Sequence, residues 1–383
     1  MTQQYAFYAA VGRRLKTFDV EPAAATLTLR SELELPEGLQ YLCRHVSLPL
    51  LYAACSDGRP RRDGSRHVLC ALRIQADGSL LREGRSLALP ARPVHIATDS
   101  RSRFVFIVYP KPSRVEVYGL GADGRLGALV LQPMPSLRKT AHQIRLAPGD
   151  DVAIVPCRGN DASADSPEDP GAIEVLRHVD GQLTPWRTLE PDGGYDFGPR
   201  HVDFHPGKKW MYVSIERQNQ LAMFDLDGEH QLRCRLTTLR DPGREKPRQL
   251  AGAIHVHPDG HTVYVSNRAD GTVEIDGRAV FNGGENTIAV YRIDPSSGLP
   301  TLIQIADTHG IHPRTFQVHP EGGLLVSASM TPRWVRSGGR GVEVLAGLSV
   351  FTIAPDGTLE FRRKYDLDAS QDHLFWAGFA ALP

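Results

Sequence analysis

The feature that most limits what this chain can fold into is an internal repeat. A strand-like run, a His-Pro turn and a second apolar run fill Arg200 to Ser214. The same order returns from Ala253 to Asn267 and from Thr315 to Ala328. Each copy is followed by a third run, at Gln220 to Asp227, Thr287 to Asp294 and Leu348 to Ala354. Weaker copies open at His45, Val94 and His142, and a last one opens at His373. The seven openings recur about every 50 residues, the length of a propeller blade and too long for leucine-rich or helical repeats. Almost no chain follows His373, whereas Tyr5 to Ala10 and Leu15 to Val20 are strand-like runs without an opening. The two incomplete ends would share one blade, closing the sheets so that no edge is left open to aggregation. The expectation is an all-β, seven-bladed β-propeller closed by its N- and C-terminal strands, with residues 1–383 as one domain. Two all-β domains joined near the acidic stretch Asn160 to Gly171 are the competing reading. Repeats continue on both sides of that stretch, which therefore reads as a loop inside a blade.

Composition narrows the class of partner. Lys plus Arg and Asp plus Glu are equal at 44 each, so no global field attracts nucleic acid or an anionic membrane, and any substrate charge must be matched locally. No run approaches the 18 or so apolar residues of a spanning helix. The N-terminus goes straight into strand-like residues without the pattern of a secretory signal. The five cysteines are odd in number and form no C-x-x-C pair, which suits reduced thiols in the cytoplasm.

Three groups of residues carry a family likeness. Gly198-Pro199-Arg200-His201 with Phe204-His205-Pro206, then Val265-Ser266-Asn267-Arg268, then His312-Pro313-Arg314 with Val318-His319-Pro320 resemble the lactonase propeller family. That family comprises bacterial propeller-type 6-phosphogluconolactonases and fungal carboxy-muconate lactonizing enzymes. The resemblance implies a site at one mouth of the central channel built from a His, two Arg and a Glu, and no required metal. Carried onto this chain, those groups are His142, Arg200, Glu216 and Arg268. A long insertion, Asp270 to Glu285, departs from the family pattern directly after Arg268 and is expected to reshape the pocket.

The residues themselves allow a limited chemistry. Opening a lactone with water needs a base and a donor for the oxyanion at the ring carbonyl. His142, with an ordinary pKa near 6.5, suits the base. Arg200 or Arg268 suits the oxyanion and any carboxylate or phosphate through the guanidinium fork. Glu216 follows an apolar strand, where a carboxylate needs solvent or a cation, and Arg200 is one candidate partner. His201, His255 and Arg314 are second-line candidates for substrate binding. His205, His257 and His319 fill one position in the repeat and read as structural. No H-E-x-x-H or clustered Cys/His spacing marks a metal or other cofactor, and no G-x-S-x-G marks a nucleophilic serine. Gly283-Gly284 and Gly338-Gly339 read as turns. The expected partner is a small lactone or sugar acid. Hydrolysis of a sugar-acid lactone is the first reading, a lactone-forming cycloisomerase acting on a polycarboxylate the second, and a non-catalytic binding scaffold the third.

Overall fold

A computed structural model describes residues 3–60, 62–244, 248–337 and 340–383. The described chain is all-β, with a single short 3₁₀ turn at Pro191–Gly194. Gly338 and Gly339 lie outside the described residues.

By contact density the chain divides into two compact units. The first holds residues 1–19, 28–200 and 380–383; the second holds residues 20–27 and 201–379. In the first unit three four-stranded sheets follow chain order: Gly38–Arg44 to Leu80–Ala88, His95–Thr98 to Leu126–Leu129, and Arg145–Leu146 to Gln182–Leu189. Tyr5–Val11 pairs antiparallel with Arg14–Glu21 in a further sheet. The chain's last residues belong to the same unit, with the Leu382 amide donating to the Gln4 carbonyl at 2.9 Å. The acidic stretch after Cys157 connects Val152–Cys157 to its sheet neighbour Ala172–Val179, so it is a loop within one sheet, folded by bridges Asn160↔Asp169 and Ser163↔Ser166.

In the second unit, one sheet runs through Trp210–Ile215, Gln220–Asp225 and Leu232–Thr237. Another holds Leu250–Val256, Thr262–Arg268, Thr287–Ile293 and Pro300–Asp307. A third holds Pro313–Val318, Leu324–Ser329, Gly347–Ile353 and Leu359–Asp366. Each of the last two is interrupted by an inserted hairpin.

Those hairpins, Thr272–Ile275 with Arg278–Phe281 and Arg333–Ser337 with Arg340–Val344, join through a parallel bridge at Val280↔Trp334 into an accessory four-stranded sheet. The Arg278 guanidinium stacks over the Trp334 ring at 4.6 Å. Sequence reading located the first insertion and missed the second, whose strand-like run looks like any other in an all-β chain.

The repeat has a physical cause in two recurring devices. At the turn closing the first strand, a His Nδ1 accepts a backbone amide two residues on: Gly207 to His205 at 3.0 Å, Asp259 to His257 at 3.3 Å, and Glu321 to His319 at 3.1 Å. His45 does the same for Ser47 at 3.2 Å, so it stands at the end of an opening strand that begins at Gly38 and does not itself open the copy. The second device is a latch. Tyr8, Tyr52, Tyr212 and Tyr264, each fully buried in the interior of its sheet, donate to the carbonyls of Gly78, Gly124, Gly298 and Gly357 at 2.7–2.9 Å. Each glycine sits in the outer turn of a neighbouring sheet, where a preceding Asp also accepts local donors, as Asp294 does from Ser296 and Ser297. Gly298 must be glycine: its φ is +75°, and an added Cβ would meet the Trp210 ring at 2.5 Å.

Candidate active site

In the second unit, the strand Thr262–Arg268 ends in the Ser-Asn-Arg corner noted in the sequence. Its three residues divide the work. The Ser266 hydroxyl accepts the Ala253 amide at 3.0 Å. The Asn267 amide oxygen accepts the Thr238 hydroxyl at 2.6 Å, and its nitrogen donates to the Thr287 hydroxyl at 3.0 Å. Both are fully buried and serve to lock the strand end. Arg268 is then delivered in a fixed direction, with Nε donating to the Ala251 carbonyl at 3.3 Å.

Glu216 leaves the end of Trp210–Ile215, and its backbone carbonyl accepts the Ala251 amide at 3.0 Å, so one residue, Ala251, contacts both the Glu216 backbone and the Arg268 side chain. The carboxylate Oε2 lies 2.9 Å from Arg268 Nη2, with side chains only 8% and 4% exposed. Arg268 is thus a cationic partner for the buried carboxylate. A buried pair of this kind is a weak source of net stability, but breaking it by removing one member costs about 3–5 kcal/mol.

Two further residues extend the cluster. Arg268 Nη1 lies 3.1 Å from His312 Nε2, and His312 Nδ1 lies 3.4 Å from Asp270 Oδ2. Asp270 in turn pairs with Arg248. His312 is 2% exposed and holds a left-handed backbone, φ +58°, which is rare for a residue with a Cβ. The conformation is pinned by its amide donating to Asn286 Oδ1 at 2.8 Å and its carbonyl accepting the Met330 amide at 3.1 Å. Burial pushes the imidazole down to about 4, with Arg268 and Arg314 adding to the fall and Asp270 opposing it, so it is neutral near pH 7. Burial tends to raise the Asp270 carboxyl, but His312, Arg248 and Arg333 outweigh it and hold the group well below the usual range. Sequence reading quoted His312 within His-Pro-Arg and Asp270 as the start of the insertion, without giving either a role. The left-handed turn that brings His312 to Arg268 has no mark in the residue types.

The remaining second-unit candidates have contacts of their own. His255 lies with Nδ1 3.6 Å from Asp203 Oδ2, Nε2 3.0 Å from Gln317 Nε2, and its ring edge-on to Phe316 at 5.0 Å. Arg314 stacks over the Phe375 ring at 3.9 Å and reaches the cluster through its field on His312. His201 is buried in Pro199–Phe204, its amide donating to the Ser214 hydroxyl at 3.3 Å.

In the first unit, His142 is half-buried just ahead of the short strand Arg145–Leu146, its amide donating to the Pro156 carbonyl at 2.9 Å. Arg200 is 2% exposed. Near it stands His95, a buried imidazole tilted at 39° against the Tyr41 ring, with centroids 3.9 Å apart, and 3.4 Å from the Gln143 amide. Burial drives the His95 pKa well down, and Arg145 and Arg200 drive it further. His95 is a second buried group that sequence reading passed over, because its copy of the repeat is weak.

Among the described residues no group of three or more His, Cys, Asp and Glu is arranged to hold a metal ion. A cleft of about 540 Å³, lined by His257, Thr262, Arg292, Gly322 and Asp356 among others, lies at the turn end of Thr262–Arg268, roughly 20 Å along the strand from Arg268. It is formed by the repeat's own turns.

Comparison with known proteins follows the same lines. The family described as "Lactonase, 7-bladed beta-propeller" matches residues 5–335. A 6-phosphogluconolactonase of Pectobacterium atrosepticum is 27% identical over 307 residues, covering 80% of this chain and 82% of the relative. One of Serratia proteamaculans is 25% identical over 317 residues, covering 73% and 88%. The solved structure of a periplasmic gluconolactonase from Pseudomonas aeruginosa superposes with a TM-score of 0.74 at 18% identity, covering 99% of both chains, a likeness of fold.

Proposed function

The chain belongs to the lactonase family of seven-bladed β-propellers, and from that premise we propose that it opens the ring of a sugar-acid lactone by metal-independent hydrolysis, with 6-phosphogluconolactone as the first substrate to try. The observation that carries the reading is the buried Glu216–Arg268 pair, two charges held at the end of adjacent sheets where stability alone gives little reason for them. In this reading Arg268 receives the negative charge that develops on the ring carbonyl oxygen, and Glu216 keeps the guanidinium in place. His142 acts as the base that takes a proton from water, and Arg200 is a second cation for the substrate's acid group. His201, His255 and Arg314 contribute to binding.

The reading includes a single domain over residues 1–383, closed by its terminal strands. The hydrogen bond from Leu382 to Gln4 supports that closure. The reading also takes the protein to be cytoplasmic. All five cysteines are free, and no described helix is long and apolar enough to cross a membrane. The cycloisomerase and scaffold readings are separated from hydrolysis by one experiment. Purified protein is incubated with phosphorylated and unphosphorylated aldonolactones and with a carboxy-muconate, while acid release is followed with a pH indicator. Hydrolysis predicts acid release from an aldonolactone, unchanged by a chelator. Turnover of the muconate alone would favour the isomerase, and no turnover of any compound would favour a scaffold.

A further inference from the structure

The proposed reaction uses Arg268, and the residues behind it show how that arginine is aimed. We infer that His312 and Asp270 are its positioning pair: Asp270 fixes the imidazole as the Nδ1–H tautomer, and the bare Nε2 accepts Nη1–H of Arg268. The inference rests on the reading of Arg268 as the group that meets the substrate.

The tautomer follows from donor and acceptor roles. Arg268 can only donate, so the His312 nitrogen 3.1 Å from Nη1 must be the one without a proton. The proton of a neutral imidazole is then on Nδ1, which lies 3.4 Å from Asp270 Oδ2 without the alignment of a hydrogen bond, close enough for the carboxylate's charge to favour a proton there. The assignment is the one that an orienting carboxylate imposes on a histidine at other sites.

The choice of a neutral acceptor has a consequence for charge. Glu216 already compensates one edge of the guanidinium. A carboxylate in place of His312 would be a second counter-charge and would weaken the attraction for a developing oxyanion. Neutral imidazole holds the opposite edge without adding negative charge, while the charge of Asp270 is met one step further out by Arg248 and by the field of Arg333. Position and charge are therefore set by different residues.

The accessory sheet gains a role by the same route. Asp270 opens the first inserted segment, and Arg333 is the first residue of the second hairpin. The connection back from the first hairpin returns to the cluster through Asn286, whose Oδ1 accepts the amides of both Ala269 and His312 at 2.9 and 2.8 Å. Gly283 and Gly284 lie in that connection and not in a hairpin turn. At Gly284 an added Cβ would come within 2.4 Å of the Ala269 Cβ, so the close return requires glycine. The insertion thus supplies the carboxylate beside His312, and Asn286, the residue directly after it, supplies the side-chain oxygen that pins the His312 backbone.

The test compares two amides. Gln at position 312 can place its amide oxygen where Nε2 stands, whereas Asn can only reach the place of Nδ1. His312→Gln is expected to keep kcat within about threefold of wild type, and His312→Asn to lower kcat by about 100-fold with KM within about twofold, since an aimed donor acts on the transition state. Equal activity of the two variants, high or low, would overturn the inference. Where His312→Asn does not fold, Asp270→Ala replaces it, with about a 10-fold fall in kcat expected and an unchanged kcat contradicting the pair. A wild-type protein that opens no lactone would overturn the proposed function separately. The pair is then judged by ¹⁵N NMR of the Arg268 side chain, whose hindered guanidinium rotation should persist in His312→Gln and vanish in His312→Asn. Rotation unaffected by either change would refute it.

Discussion

At the scale of single residues, the account turns on how burial changes what His312 and Glu216 can do. His312 titrates near 4 in the folded protein, chiefly because it is buried, against about 6.5 in an unfolded chain. Between those values the unfolded chain binds a proton that the folded one does not, so the stability due to neutral His312 is present above pH 6.5 and is lost as pH falls toward 4. The charged groups facing the ring are Arg268, Arg314 and Asp270. Urea unfolding at pH 4.5, 5.5 and 7 should show stability rising across the window. The rise should be smaller in His312→Gln by roughly 3 kcal/mol at most, the value of a shift of this size. An identical pH dependence in both proteins would count against a buried neutral His312. Glu216 carries a different lesson. Removing Arg268 alone leaves the buried Glu216 carboxylate without that cation and should destabilise the fold by about 3–5 kcal/mol, so loss of activity in Arg268→Ala would mix two causes. Much of this level was hidden in the sequence. The strand-end positions of Glu216 and Arg268 were legible from the apolar runs before them, but their pairing was not, and nothing in the residue types announced the left-handed turn at His312 or the burial of His95.

At the scale of elements, the repeat was legible because the same physical device occurs at the same offset in the three strong copies. A His before Pro accepts the turn's amide. The latch was not read from the sequence, because each tyrosine finds its glycine 70 to 93 residues away. Replacing Tyr264 or Tyr212 by Phe removes a buried hydroxyl and leaves a glycine carbonyl without that donor. Each change should lower stability by about 1–2 kcal/mol in denaturant unfolding, with lactone turnover per folded molecule unchanged. A loss below a few tenths of a kcal/mol at both positions would show that the latches only accompany the packing. The accessory sheet belongs to this scale as well. Replacing the hairpin Thr272–Phe281 by a short turn that retains Asp270 and Asn286 should leave the fold intact and alter KM among lactones. An unchanged KM for every lactone tested would exclude the hairpin from the binding site.

At the scale of the whole molecule, the family and the all-β architecture were accessible from repeat spacing and three short motifs, because those motifs sit at strand ends where backbone geometry and chemistry coincide. The second inserted hairpin was not accessible, since its pairing with the first is a single parallel bridge between segments more than 50 residues apart. Function at this scale comes down to whether the buried ion pair serves a reaction. The direct measurement is lactone hydrolysis by the wild type and by the charge-balanced double variant Glu216→Gln/Arg268→Gln, followed with a pH indicator alongside thermal unfolding. The account predicts acid release by the wild type and a fall of at least about 1,000-fold in kcat/KM in the double variant, with the unfolding midpoint within a few degrees, because both buried charges are removed together. Activity within about tenfold of wild type in a folded double variant would contradict it.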